Sequence, residues 1–202
     1  RSSDLIAIYE CLSYGSDGAI RRQRTRVAAH GTGFAYREQG GETFLLTNQH
    51  VAEWPSVTDA AHRVDDVAAG CKRVSDTLKI VDNENDDYGA DDVPLIRVAT
   101  DDSLDATVVK AKGKLRLLPY RIGRSAMLTA GDVVLVRGFP LGAFQAVNSG
   151  KVVNPYDHDE YRDWDHVDFI IDAPLSSGNS GSPVLAVSTR TGEYELVGMF
   201  HA

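Results

Sequence analysis

The chain has 202 residues, 43% of them hydrophobic, enough to bury one large core or two small ones. Its formal net charge of −8, from 21 Lys and Arg against 29 Asp and Glu, argues against a general nucleic-acid or anionic-membrane binder, since either needs a basic surface. No apolar run approaches the ~20 residues of a transmembrane helix and Arg1-Ser2-Ser3-Asp4 is not a signal peptide, so the chain reads as a soluble globular protein whose compartment, periplasm or cytoplasm, stays open.

Leu5 to Leu12 reads as a first strand, followed by a polar stretch in which Arg21, Arg22, Arg24 and Arg26 cluster as a solvated loop. Val27 to Tyr36 reads as a strand bent at Gly31 and Gly33, Gln39-Gly40-Gly41 as a hairpin turn, and Thr43 to Thr47 as a strand running into a short helical turn at His50. Residues 55–92 form an acidic, partly helical excursion around Val57 to Val74, then a strand near Thr77 to Val81. Val93 to Val98 and Ala106 to Val109 are further strands, and residues 110–123 a basic linker. Beyond it, strands are expected at Gly131 to Arg137, Phe144 to Val153, Val167 to Ile171, Val184 to Val187 and Tyr194 to Phe200, with an acidic loop at Tyr156 to Asp165. Many short strands, turn signals between them and little helix indicate an antiparallel all-β barrel or sandwich. Cys11 and Cys71 read as two unpaired thiols. Neither Cys-x-x-Cys nor a Cys/His cluster with metal spacing occurs, so no metal or other cofactor is expected.

Three positions carry chemistry. Ala173 to Pro183 places Ser180 between Gly178 and Gly181 in a tight polar connection between two apolar strands. A turn of this kind suits a nucleophilic serine, whose hydroxyl must be exposed beside free backbone N–H groups; Ser, Gly and Asn also build ordinary hairpin loops. A nucleophilic serine requires a histidine base, and His50, where an apolar strand ends, can supply it. The base needs an orienting carboxylate. Asp92 opens the apolar strand Val93-Pro94-Leu95-Ile96-Arg97-Val98 and is preferred to its neighbour Asp91. The order His, Asp, Ser is that of the chymotrypsin-like triad, whereas Gly-x-Ser-x-Gly of the α/β-hydrolases fails at Ser182.

With these residues in place, the sequence resembles a trypsin-fold serine peptidase of the HtrA-like group. The resemblance runs through Gly31-Thr32-Gly33-Phe34, Leu45 to Val51, Asp92 to Val98, Ala126 to Gly142, Val147 to Val152 and Asp172 to Pro183. It implies two perpendicular six-stranded β-barrels, residues 1–112 carrying His50 and Asp92 and residues 113–202 carrying Ser180, together one protease domain. It implies a Ser180 nucleophile, a His50 base, an Asp92 orienting acid, and an oxyanion hole from the N–H groups of Gly178 and Ser180. Leu175 would line the specificity pocket and favour cleavage after small or medium aliphatic residues, because an apolar wall offers a cation no counter-charge. Asn179 stands where zymogen-activated members carry an aspartate, so control by loop order is expected. His201 stands where a Ser or Thr usually supports the triad acid, and the chain stops at Ala202 before the remaining pocket wall. The implied partner is a protein or peptide substrate, with room for a regulatory domain or oligomeric partner. The competing reading is a catalytically silent or gated module of the same fold; a barrel with coincidental His, Asp and Ser is a third.

Overall fold

The alternation of side chains along the first strand sets the pattern for the whole chain. In β1 (Ser2–Tyr14), Leu5, Ala7 and Tyr9 are buried while Ile6, Ile8 and Glu10 between them are only half-buried, the period of two that a strand with one core face requires. The computed structural model describes residues 1–81, 92–157 and 168–201, and two sheets account for most of them. After β1 come β2 (Ile20–Thr32), β3 (Phe34–Gln39), β4 (Glu42–Asn48), the short helix α1 (Gln49–Ala52), β5 (Lys72–Val81), β6 (Val93–Asp101) and β7 (Ala106–Lys112). Their strands pair in the order β2-β1-β5-β6-β7-β4-β3. The second sheet holds β8 (Arg121–Ile122), β9 (Val133–Gly138), β10 (Ala146–Asp157), β11 (Asp168–Ile171), β12 (Pro183–Val187) and β13 (Tyr194–Met199), in the order β11-β10-β9-β12-β13-β8.

Each sheet covers its own core. Leu5, Leu45, Leu78, Ile80 and Val109 cluster under the first, and Val134, Val136, Val152 and Val184 under the second. Gly40 and Gly41, at φ of +63° and +80°, close the two-residue turn between Gln39 and Glu42, a conformation that side chains resist at both positions.

The all-β expectation stands, with differences in detail. The first sheet has seven strands where six were expected, and its ladder ends at β2 and β3 without closing. The arginine cluster is a strand: Arg21 to Arg26 lie in β2, which pairs with β1 from Ser2↔Thr32 to Tyr14↔Ile20. Charges hide the strand signal there, yet an edge strand tolerates them and is protected by them from pairing with other chains. The excursion before β5 contains no helix among the described residues. Its polar side chains take the backbone groups a helix would use: Asp59 Oδ1 accepts from the N–H groups of Ala61 and His62, and Thr58 Oγ1 donates to the Ala68 carbonyl. The cysteines are not free, since Cys11 and Cys71 form a disulfide across a separation of 60 residues. β1 pairs with β5 through Glu10↔Lys72, which brings Cys11 beside Cys71, a neighbourhood invisible in the linear sequence.

Candidate active site

His50 sits in α1, directly after β4, and its position is set from below by packing. Val51 and Ala52 are buried, and Val51 fills the space beside Gly31, where an added Cβ would lie 2.3 Å from a Val51 methyl. The imidazole is thereby held at the rim of the first core, half-exposed.

The carboxylate that meets it is Asp105. Oδ2 of Asp105 lies 2.7 Å from His50 Nδ1, and Oδ1 accepts from the His50 backbone N–H at 3.0 Å. The Asp105 carbonyl accepts from the Gln49 N–H at 3.0 Å and from Asn48 Nδ2 at 2.9 Å, so one residue grips the whole turn that carries the histidine. Asp105 has φ of +45°, a left-handed conformation that Asp tolerates better than most side chains. A carboxylate can only accept, so Nδ1 carries the proton and Nε2 of the neutral ring is left as the basic nitrogen.

Asp92 does not take this role. Its Oδ2 lies 2.5 Å from Lys79 Nζ on the neighbouring strand β5, where it forms a half-exposed ion pair. Two segments begin with Asp and continue as an apolar strand, Asp92-Val93-Pro94-Leu95 and Asp105-Ala106-Thr107-Val108. Only the second opens β7, which pairs with β4 through Asn48↔Ala106 and so starts beside His50. Asp91 lies outside the described residues.

Ser180 lies half-buried in the connection between β11 and β12, and this connection is fastened to the first sheet. The Thr32 N–H donates to the Ser180 carbonyl at 2.7 Å, and Thr32 Oγ1 donates to the Gly178 carbonyl at 2.8 Å. Thr47 Oγ1, three residues before His50, donates to the Thr32 carbonyl at 2.7 Å. The serine turn is therefore bonded to the end of β2, which is bonded in turn to the end of β4 that leads to the histidine.

Gly178 and Gly181 are required by space as well as by conformation. Gly181 has φ of +86°, and an added Cβ would stand 2.0 Å from the Thr32 carbonyl oxygen; at Gly178, φ +92°, it would stand 2.5 Å from the Leu141 nitrogen. Among the described residues no acceptor takes the N–H of Gly178 or of Ser180. Asn179 is fully buried and donates through Nδ2 to the Ser176 carbonyl at 3.0 Å. Leu175 is partly buried against the second core, and His201 Nε2 lies 3.5 Å from Asp168 Oδ2.

A His–Asp contact and a glycine-flanked serine turn, one on each of two β-sheets and linked through Thr32 and Thr47, are what the fold brings together. Residues 31–199 match the family model of the trypsin-like peptidase domain, and the chain belongs to that family. No curated protein matches. Among solved structures the chain is similar to the HtrA-type protease AlgW with decapeptide, at 22% identity and a TM-score of 0.59, covering 100% of this chain and 55% of that one. It is also similar to the HtrA-type protease AlgWS227A with decapeptide, at 20% identity and a TM-score of 0.58, covering 100% and 54% respectively. These likenesses show a shared fold, and the chain spans about half the length of those proteins.

Proposed function

We propose that this chain is a serine endopeptidase domain in which Ser180, His50 and Asp105 form the triad, with residues 1–112 and 113–202 contributing the two halves of one site. The observation that carries this reading is the 2.7 Å contact between His50 Nδ1 and Asp105 Oδ2, which leaves Nε2 as the base, with the serine turn linked through Thr32 to Thr47 on the strand that leads to His50.

In this scheme Ser180 Oγ attacks the scissile carbonyl while His50 Nε2 takes its proton. Asp105 holds the tautomer and stabilises the imidazolium. The N–H groups of Gly178 and Ser180 receive the oxyanion, where one donor is typically worth ~2.7–4 kcal/mol of transition-state stabilisation. His50 returns the proton to the leaving amine, and water then hydrolyses the acyl-enzyme by the same base. Leu175 gives the pocket an apolar wall, so cleavage follows small or medium aliphatic residues in a protein or peptide substrate.

The test is covalent labelling by a fluorophosphonate together with cleavage of a peptide library. Labelling is expected at Ser180 and is lost in Ser180→Ala and His50→Ala. Asp105→Asn is expected to slow turnover by ~10⁴-fold through the wrong tautomer, whereas Asp92→Asn, which loses only an exposed ion pair, leaves it within a few-fold. A folded protein whose Ser180 stays unlabelled is a silent module, and preference for Lys or Arg before the cut overturns the assignment of Leu175.

A further inference from the structure

A second cavity, of about 520 Å³, lies behind the serine turn and shares no lining residue with the one that holds His50. Its size falls in the range of small-molecule sites, roughly 300–1,000 Å³. Thr32 and Phe139 form part of its wall, and the Phe139 N–H donates to Thr32 Oγ1 at 3.0 Å, so the wall is continuous with the bonds that hold Gly178 and Ser180.

Its charge is unlike that of the chain as a whole. Arg1, Arg116 and Arg137 all line it, with no Asp or Glu among the described lining residues, in a chain of net charge −8. Arg137 Nη1 donates to the Tyr120 hydroxyl at 3.1 Å, but its Nε is buried and has no acceptor among the described residues. Arg116 is exposed and has no carboxylate partner among them. A buried guanidinium N–H without an acceptor is costly, and the planar fork of arginine matches a carboxylate or phosphate. Phe34 and Phe139 add apolar wall beside these donors.

We propose that this cavity binds a small oxyanion, a carboxylate or phosphate, carrying an apolar body, with Arg137 and Arg116 holding the anion and Phe34 and Phe139 the body. This holds whether or not Ser180 is a nucleophile.

The experiment is calorimetric titration of the 202-residue protein with phenyl phosphate and with benzoate, using phenol and inorganic phosphate as controls. At least one aryl anion is expected to bind, inorganic phosphate more weakly, and phenol not measurably. Arg116→Gln, on an exposed side chain, and Arg137→Met are each expected to weaken binding about tenfold or more, the loss of a charge-assisted hydrogen bond. Circular dichroism checks that each variant is folded, and Arg116→Gln decides the matter if Arg137→Met is not. Absence of heat with both aryl anions, binding of phenol as tight as theirs, or binding that Arg116→Gln leaves unchanged overturns the proposal.

Discussion

Thr32, at the end of β2, makes four hydrogen bonds that no neighbour could replace. Its N–H and hydroxyl donate to Ser180 and Gly178, its hydroxyl accepts from Phe139, and its carbonyl accepts from Thr47. Thr32→Val keeps the shape and removes the hydroxyl, leaving the Gly178 carbonyl and the Phe139 N–H buried without partners. The expected loss is roughly 2–6 kcal/mol by urea denaturation, with Thr32→Ser close to wild type. Gly181→Ala puts a methyl against the Thr32 carbonyl and is expected to unfold the serine turn, read out as lost labelling at Ser180. Tyr9 is a different case. It is fully buried, its hydroxyl donates to the Pro55 carbonyl at 2.6 Å, and burial pushes its pKa above the ordinary tyrosine value. The folded state thus favours the neutral phenol, so its contribution is intact below the unfolded pKa near 10 and falls as pH rises through the higher folded value. Denaturation midpoints measured from pH 8 upward should drop less steeply in Tyr9→Phe than in wild type.

Among the elements, the stretch between α1 and β5 is tied to β1 by the one disulfide, Cys11–Cys71. Val64 and Cys71 pack with Ala7 and Tyr9 in a small separate cluster, closed by the Cys11–Cys71 bond. Closing a loop of this length is worth about 4 kcal/mol in a chain-entropy estimate, so Cys11→Ser should lower stability by up to that amount in chemical denaturation. His50 and Ser180, as the proposed base and nucleophile, stand out in the sequence through their immediate neighbours: an apolar strand before the histidine, glycines on both sides of the serine. The contact of Asp105 with His50 does not stand out, because two aspartates open apolar strands and the choice between them depends on which strand lies beside β4. The disulfide and the β1–β2 pairing were hidden for the same reason: contacts over many residues are decided by register, and the arginines of β2 obscure the alternation that marks a strand.

At the scale of the molecule, hydrogen bonds among the described residues join the two sheets where the end of β2 meets the serine turn and Phe139, just after β9. The chain between the sheets, residues 113–120, runs along the second cavity, with Arg116 in its wall. The candidate active site and the arginine-lined cavity therefore share Thr32 as a common wall without sharing a pocket. The Cys11–Cys71 bond has its own consequence for a protein proposed to cut peptide bonds. Any cut between residues 55 and 70 divides the chain so that Cys11 stays with one piece and Cys71 with the other. The nicked protein is expected to migrate as a single band on a denaturing gel without reductant and as two bands with it, so self-cleavage in this stretch would pass unnoticed until the sulfurs are separated.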